Sequence, residues 1–93
     1  MILSIIIPVY NEEKTLLKSL ESVKNINSKS FEHEIIVVND GSTDNTKSIL
    51  ENNKSLYNKL LTNETNRGKG FSIKRGIIEA KGEYIICHDA DLE

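Results

Sequence analysis

Short apolar runs alternate with helix-like patterns along the chain. Residues 2–7 carry apolar, mostly β-branched side chains broken only by Ser4, residues 34–39 form a second such run, and a third begins at Tyr84. Short continuous runs of this kind predict strands that are buried on both faces. Residues 59–63 predict one further, short strand. Four strands are therefore predicted.

Three segments between these strands have apolar residues at helical spacing. The first follows Asn11, a predicted helix cap with Glu12 and Glu13 in the first turn. Its apolar stripe consists of Leu16, Leu17, Leu20, Val23 and Ile26. We expect this helix to pack on the sheet through that stripe.

The other two helical segments follow polar loops. Ser42 or Thr43 is expected to cap the second helix, and Asp44 to complement its dipole. Its weaker apolar face, interrupted by asparagines that predict early fraying, consists of Thr46, Ile49, Leu50, Asn53 and Leu56. The third helix is expected to end at Lys81 and Gly82. Its apolar residues are Phe71, Ile73, Ile77, Ile78 and Ala80.

The element order β-α-β-α-β-α-β predicts an α/β fold. Strands that alternate with helices form a parallel sheet with right-handed crossovers, here a Rossmann-like three-layer domain. A reversal beside the first strand gives the strand order 3-2-1-4. The loops at residues 8–12, 40–43 and 89–93 then converge where such sheets bind ligands.

Composition narrows the class of protein. The 93 residues predict one small domain, and 38% hydrophobic with 28% charged residues is typical of a globular protein. A net charge of −2 gives no basic field for nucleic acid. Cys87 is expected to pack as a small hydrophobe, which favours a reducing, cytoplasmic location. The apolar N-terminal run lacks a basic leader and stops at Pro8, so we expect any membrane attachment to come from beyond residue 93.

Acidic residues occupy alternate positions directly after the last strand. Asp89, Asp91 and Glu93 would repel one another without compensation, and carboxylates are suitable ligands for Mg²⁺ or Mn²⁺. A divalent cation is therefore the favoured interpretation. His88 is expected to be structural and to face away from Asp89.

Three other motifs have both a structural and a functional interpretation. Residues 40–42 suit a tight turn, but Asp40 could equally accept a hydrogen bond from a ribose or base. Residues 8–12 terminate a strand and cap a helix, although Tyr10 offers a ring face to a nucleobase. Residues 67–70 are either a solvated loop or a phosphate-binding loop, and they lack the Walker spacing.

Four blocks together resemble family 2 glycosyltransferases, the inverting enzymes of GT-A fold. The blocks are Ile5–Glu13, Val37–Asp44, Asn66–Gly70 and Asp89–Leu92. They occur in the family's order and span nearly the whole chain. The last block is most similar to the polyprenol-phosphate sugar transferases of the dolichyl-phosphate mannose synthase type. Cell-wall and polysaccharide transferases share the other blocks.

The resemblance implies a role for each matching residue. Asp91 corresponds to the metal ligand of the D-x-D motif, and Glu93 to a further contact with metal or phosphate. Asn39 departs from the frequent Asp-Asp-Gly-Ser pattern. The implied donor-binding residues, which contact base, ribose, sugar or diphosphate, are Pro8, Tyr10, Glu12, Asp40, Arg67, Lys69 and Asp89. A catalytic base is expected downstream of residue 93.

Residues 1–93 are thus expected to be the nucleotide-sugar-binding, N-terminal half of a GT-A domain. The longer protein would transfer a sugar from a UDP- or GDP-sugar to a polyprenol phosphate or polysaccharide, at the cytoplasmic face of a membrane. The isolated chain is expected to bind donor without turnover and to self-associate through an exposed sheet edge. Two alternatives fit less well. A nucleotidyltransferase needs a glycine-rich run after the first strand, and a response-regulator-like domain needs paired acids there.

Overall fold

The computed structural model describes residues 1–26 and 32–89 as a parallel sheet covered by helices. The strands are β1 (Ile2–Val9), β2 (Glu32–Asp40), β3 (Lys59–Asn63) and β4 (Tyr84–Cys87). The helices are α1 (Leu16–Lys24), α2 (Thr46–Glu51) and α3 (Lys69–Glu79), with a 3-10 turn at Lys54–Leu56. Each predicted strand and helix is present, and β3 has the predicted bounds.

The four strands pair in the order β3-β2-β1-β4, and every pairing is parallel. Ile5 of β1 lies opposite Ile35 of β2 on one side and Ile86 of β4 on the other. The predicted order 3-2-1-4 is confirmed. The order reverses beside β1, so the carboxyl ends of β1 and β4 flank a crevice.

One face of the sheet carries the larger apolar core. Leu16, Leu20 and Val23 of α1 are buried against alternate residues of the two central strands, Ile5, Ile7, Val9, Ile35 and Val37. The predicted stripe on α1 is thus correct in its centre. Leu17 and Ile26 do not belong to it, since they are 39% and 49% exposed.

Helix α3 covers the other face with small residues. Its buried positions are Ser72 and Gly76, and a Cβ on Gly76 would lie 2.6 Å from Cγ2 of Ile6. The helix backbone therefore approaches the sheet closely. The large apolar residues of this helix are not its buried face, since Ile77 and Ile78 are 45% and 81% exposed.

Strand β4 forms an open edge, and the prediction that it is buried on both faces is wrong. Tyr84, Ile85 and Ile86 are 59%, 42% and 49% exposed, and Cys87 is exposed rather than packed. The reason is positional: α1 and α3 lie mainly over the two central strands, so β4 projects beyond both helices.

The loops after β1 and β2 differ from the predicted helix caps. Asn11 has a positive φ of 50°, and α1 begins only at Leu16. Ser42 and Thr43 do not cap α2, whose N-cap is Asn45. Their side chains bond to Asn11 instead. The predicted early end of α2 is confirmed, since it stops at Glu51.

A polar cluster near the amino-terminal ends of β1 and β2 joins these strands to the segment just before β4. The Ser4 hydroxyl donates to Glu34 Oε1 at 2.7 Å and accepts from Gly82 N at 2.8 Å. Lys81 N donates to the same carboxylate at 2.9 Å. Burial raises the pKa of Glu34, but the hydrogen bonds from Lys81 and Ser4 outweigh it, so the pKa lies below its usual value.

Candidate functional site

A cleft of about 280 Å³ opens at the carboxyl end of the sheet. It is built from the ends of β1, β2 and β4 and the start of α3. Nine residues line it: Pro8, Val9, Tyr10, Glu12, Asp40, Asn66, Gly68, Lys69 and Asp89. Six of the seven predicted donor-binding residues are in this set, and the exception is Arg67.

The β1 loop is held in place by Asn11. Its side-chain Oδ1 accepts from Thr43 N at 2.7 Å and from Asp44 N at 3.3 Å, while its own N–H donates to Ser42 Oγ at 3.0 Å. Its positive φ of 50° is a conformation that asparagine tolerates better than most residues. Asn11 therefore fastens the β1 loop to the β2 loop and sets the positions of its neighbours Tyr10 and Glu12.

A second pair of contacts supports the same junction. Glu12 N donates to Thr46 Oγ1 at 3.0 Å, and Glu13 N donates to Asp44 Oδ2 at 3.3 Å. Burial raises the pKa of Asp44, but hydrogen bonds from the side chain and backbone of Thr46 and from the Glu13 backbone lower it below its usual value. Asp44 thus acts as an ionised brace between the two loops, beyond the dipole role predicted for it.

Asp40 ends β2 and is 4% exposed. Its Oδ1 accepts from Arg67 N at 2.7 Å and from Asn63 Nδ2 at 2.9 Å, and its Oδ2 accepts from Gly68 N at 2.9 Å. Burial raises the pKa of the carboxyl group, but the hydrogen bonds from Arg67, Asn63 and Gly68 outweigh it, and the pKa lies below its usual value. The carboxylate fastens the start of α3 to the end of β2.

Gly41 and Asn39 together shape the turn that follows β2. Gly41 has φ of 69°, which favours glycine. A Cβ there would overlap the backbone of Thr65 and Asn66. The Oδ1 atom of Asn39 accepts from Ser42 N at 3.2 Å. The asparagine that departs from the Asp-Asp pattern therefore stabilises the turn.

The two cations of the third loop point to different places. Lys69 lines the cleft. The Arg67 guanidinium instead lies over the ring of Phe71, 4.9 Å from its centroid, and lines a neighbouring groove of about 340 Å³ together with Arg75. Between them Gly68 has φ of 97°, so the chain turns sharply there. Arg67 contributes its backbone N–H to Asp40, and its side chain lies outside the cleft.

The end of β4 brings one acid to the cleft. Asp89 pairs with Lys69 of α3, and both side chains are more than half exposed. The ring Nε2 of His88 lies 3.5 Å from Ser19 Oγ of α1. Since α1 and α3 cover opposite faces of the sheet, His88 and Asp89 point in opposite directions, as predicted.

The predicted metal ligands Asp91 and Glu93 lie outside the described residues. Within residues 1–26 and 32–89, no three His, Cys, Asp or Glu side chains come together as a metal site. Of the acids that line the cleft, Asp40 has both oxygens engaged and Asp89 is paired with Lys69. Together with Glu12, these side chains give the described part of the cleft a charged rim.

Three lining residues were not predicted: Val9, Asn66 and Gly68. Asn66 and Gly68 belong to the block Asn66–Gly70, from which only Arg67 and Lys69 were predicted to bind the donor. Gly68 could have been found from the demand for a glycine where the chain turns into a helix.

Chemically, the cleft offers three different kinds of contact. Tyr10 presents a ring that is 44% exposed, Lys69 presents a cation, and Glu12 and Asp89 present carboxylates. Aromatic stacking, a phosphate-binding cation and acceptors for hydroxyl groups are the contacts that a nucleotide needs.

In the described residues, no helix has both the length and the apolar character to span a membrane.

Two solved structures with a similar fold are glycosyltransferases. Over 98% of the chain, the fold is similar to S. aureus TarS 1–349 in complex with UDP-GlcNAc, with a TM-score of 0.81 and 34% identity, and it covers 27% of that chain. It is also similar to the mannosyltransferase PcManGT from Pyrobaculum calidifontis in complex with GDP-Man and Mn²⁺. That match has a TM-score of 0.79 and 27% identity, and covers 96% of this chain and 27% of the other. The Rossmann-like GT-A fold is therefore confirmed.

Sequence comparison identifies the family within this class. The profile described as "Glycosyl transferase family 2" matches residues 4–93. A dolichyl-phosphate beta-glucosyltransferase of Trichomonas vaginalis is 41% identical over 97 residues, which cover 96% of this chain and 30% of the relative. The chain thus belongs to glycosyl transferase family 2, and it spans about a third of the length of this relative. Neither alternative class of protein is favoured by these matches.

Proposed function

We propose that this chain is the donor-binding part of a glycosyltransferase that uses a nucleoside-diphosphate sugar. The observation that carries the proposal is the cleft in which Tyr10, Asp40 and Lys69 meet. Its support comes from the two similar structures, which hold UDP-GlcNAc and GDP-Man.

Each lining side chain has a role in this proposal. Tyr10 and Pro8 form the wall against the nucleobase, and Glu12 accepts from the ribose. Asp40 has lone pairs beyond its three hydrogen bonds, and one of them accepts from a base N–H. Lys69 binds the diphosphate, and Asp89 releases part of its pairing with Lys69 to accept from ribose or sugar. Arg67 acts through its backbone, because its side chain points into the neighbouring groove.

A divalent cation, Mg²⁺ or Mn²⁺, is part of the proposal. Asp91 and Glu93 would hold it, since they are hard oxygen donors that follow Asp89 at alternate positions. The Mn²⁺ in the similar mannosyltransferase supports this assignment. When bound there, such an ion would supply positive charge to the departing nucleoside diphosphate.

The acceptor that we propose is a polyprenol phosphate. The support is the relative named as a dolichyl-phosphate glucosyltransferase. No described residue is assigned as a catalytic base, and we expect that group in a segment after residue 93. We also propose a cytoplasmic location at a membrane surface, which fractionation of cells expressing the tagged full-length protein would test.

Calorimetric titration of the 93-residue chain with UDP and GDP tests donor binding. We expect one of them to bind more tightly with MnCl₂ than without it, and Asp91→Ala to abolish the difference. Glu21→Gln is the matched control, because Glu21 is an exposed acid of α1 far from the cleft. Tighter binding of a nucleoside triphosphate than of the diphosphate would overturn the proposal in favour of a nucleotidyltransferase.

The acceptor requires the full-length protein. Incubation with a radiolabelled UDP- or GDP-sugar should give an organic-extractable product with a polyprenyl phosphate. Label that appears only on an oligosaccharide acceptor would instead assign the protein to polysaccharide synthesis.

We also propose that the isolated chain self-associates through β4. The outer edge of this strand has no neighbouring strand within the described residues, and its four side chains are uncharged and exposed. Exposed apolar edges pair with other chains. Light scattering should give a dimer or larger species, and Ile85→Lys should shift it towards monomer. A monomeric wild-type chain at high concentration would contradict this proposal.

A further inference from the structure

A buried asparagine connects the donor cleft to the neighbouring groove. Asn63 ends β3 and is 4% exposed. Its Nδ2 donates to Asp40 Oδ1 at 2.9 Å and to Ser72 Oγ at 3.0 Å. Its Oδ1 accepts from Arg75 Nη1 at 2.8 Å. All three side-chain partners of Asn63 therefore come from β2 and α3, which the amide bridges.

The orientation of this amide is determined by two charged groups of opposite sign. A guanidinium can only donate hydrogen bonds, so the amide atom that faces Arg75 has to be the oxygen. A carboxylate can only accept, so the atom that faces Asp40 has to be the nitrogen. Without Arg75, the oxygen of Asn63 would lose its charged donor and the reversed amide would no longer be penalised on that side.

Arg75 is itself fixed, although it lies outside the cleft. The same Nη1 atom donates to the backbone oxygen of Thr62 at 2.8 Å. Arg75 lies three residues after Ser72 on α3, so the two side chains project from the same face of the helix and reach Asn63 together. Arg75 lines the neighbouring groove together with Arg67 and Phe71.

The contacts continue from Asp40 into the cleft. The two N–H groups of Arg67 and Gly68 converge on the Asp40 carboxylate at 2.7 and 2.9 Å. The next residue, Lys69, begins α3 and lines the cleft. The direction of the carboxylate thus sets where the helix starts and where the lysine enters the cleft.

We propose that Arg75 is a positioning residue for the donor cleft, which acts through the Asn63 amide and the Asp40 carboxylate on the Arg67–Gly68 turn. This inference rests on the proposed function, since the ligand is the same nucleoside diphosphate. It predicts that a side chain outside the cleft controls affinity within it. A residue that merely ties α3 to the sheet would change the stability of the fold without changing the amide or the affinity.

The test compares Arg75→Met, Arg75→Lys and the matched control Lys74→Met. Lys74 is an exposed cation on the same helix, so its replacement changes the charge equally. In Arg75→Met, the NMR signals of the Asn63 side-chain amide and the Gly68 N–H should shift, and the affinity for the better bound of UDP and GDP should fall about tenfold. Lysine also only donates, so Arg75→Lys should recover most of the affinity. Lys74→Met should change neither quantity.

Each possible result has a definite meaning. Unchanged Asn63 and Gly68 signals in Arg75→Met would overturn the proposal, and so would shifted signals with unchanged affinity. If the wild-type chain binds neither UDP nor GDP, the proposed function fails, while the NMR signals still decide whether Arg75 orients Asn63. If Arg75→Met does not fold, the comparison of Arg75→Lys with wild type takes its place. Because lysine, like arginine, only donates hydrogen bonds, a loss of affinity in Arg75→Lys equal to that in Asp40→Asn would overturn the proposal.

Discussion

Replacing Asp40 by asparagine tests a buried side chain of the site that accepts three hydrogen bonds. The carboxylate accepts two hydrogen bonds at Oδ1 and one at Oδ2. An asparagine oxygen in the Oδ1 position keeps the bonds from Arg67 and Asn63, but both lose the strength that the charge gives them. Its NH₂ group then faces the N–H of Gly68, so the third bond is lost and two donors oppose each other.

The magnitude of the effect follows from these bonds. A lost charged hydrogen bond costs about 1.5–3 kcal/mol and each of the two weakened ones about half as much, so the loss is at least about 3 kcal/mol. A chain of this length is expected to have a total unfolding free energy of about 5–14 kcal/mol. With a urea dependence of about 1.5 kcal/mol per molar, the unfolding midpoint should fall by about 2 M.

The pH dependence provides an independent measurement. The pKa of Asp40 is lowered in the folded state, so its stabilising contribution is complete above the pKa of the unfolded chain, about 4, and is lost as the pH falls through the folded value. Asp40→Asn should therefore be much less stable than wild type near neutral pH, and the difference should narrow as the pH falls below about 4. Glu34 and Asp44 also have lowered pKa values, so the variant keeps a smaller acid transition.

Urea unfolding followed by circular dichroism at several pH values measures both quantities, with Glu21→Gln as the control for loss of one negative charge. A variant within about 0.5 kcal/mol of wild type near neutral pH would refute the argument, because that is the ordinary effect of a surface substitution. So would a stability difference that does not depend on pH.

Three further substitutions test other parts of the structure. Gly76→Val should lower the unfolding free energy by about 1–3 kcal/mol in thermal melts, since its Cβ would meet Ile6 at 2.6 Å; an unchanged melting temperature would show that α3 can move away from the sheet. Asn11→Gly keeps the positive φ and the backbone bond to Ser42 but removes the side-chain hydrogen bonds to the β2 loop, so it should weaken nucleoside diphosphate binding. Affinity equal to wild type would show that the Asn11 side chain does not support the site. Lys69→Met should weaken binding of the diphosphate and reduce its salt dependence, and affinity equal to wild type would exclude Lys69 as the phosphate contact.

The strand pattern and sheet order could be predicted because they depend on features that the sequence displays directly. The buried strands β1 and β2 have continuous β-branched runs, and alternating helices leave few topologies for a parallel sheet. The convergence of residues 8–12, 40 and 69 follows from that topology, because the carboxyl ends of parallel strands lie at one edge.

The burial of side chains on β4 and α3 differs from the sequence pattern because it depends on neighbouring elements. The apolar run at β4 has the same pattern as β1, but β4 lies at the edge of the sheet and its side chains are exposed. Periodicity alone does not show how far a helix covers a sheet. On α3, Gly76 allows a close approach that makes the small residues the buried face. The side chains of Arg67 and Lys69 point into different grooves because of the backbone conformation at Gly68 between them. The sequence does not display that φ angle.

Helix α2 is anchored in the core by Leu50, whereas the turn that follows it lies at the surface. Asp40 and Asn63 secure the strand ends on either side, while Asn52, in the turn after α2, is exposed and does not line the cleft. A peptide tag or fluorescent reporter inserted after Asn52 should therefore leave the cleft unchanged. Such a labelled chain would report nucleotide binding without any alteration of the residues that perform it.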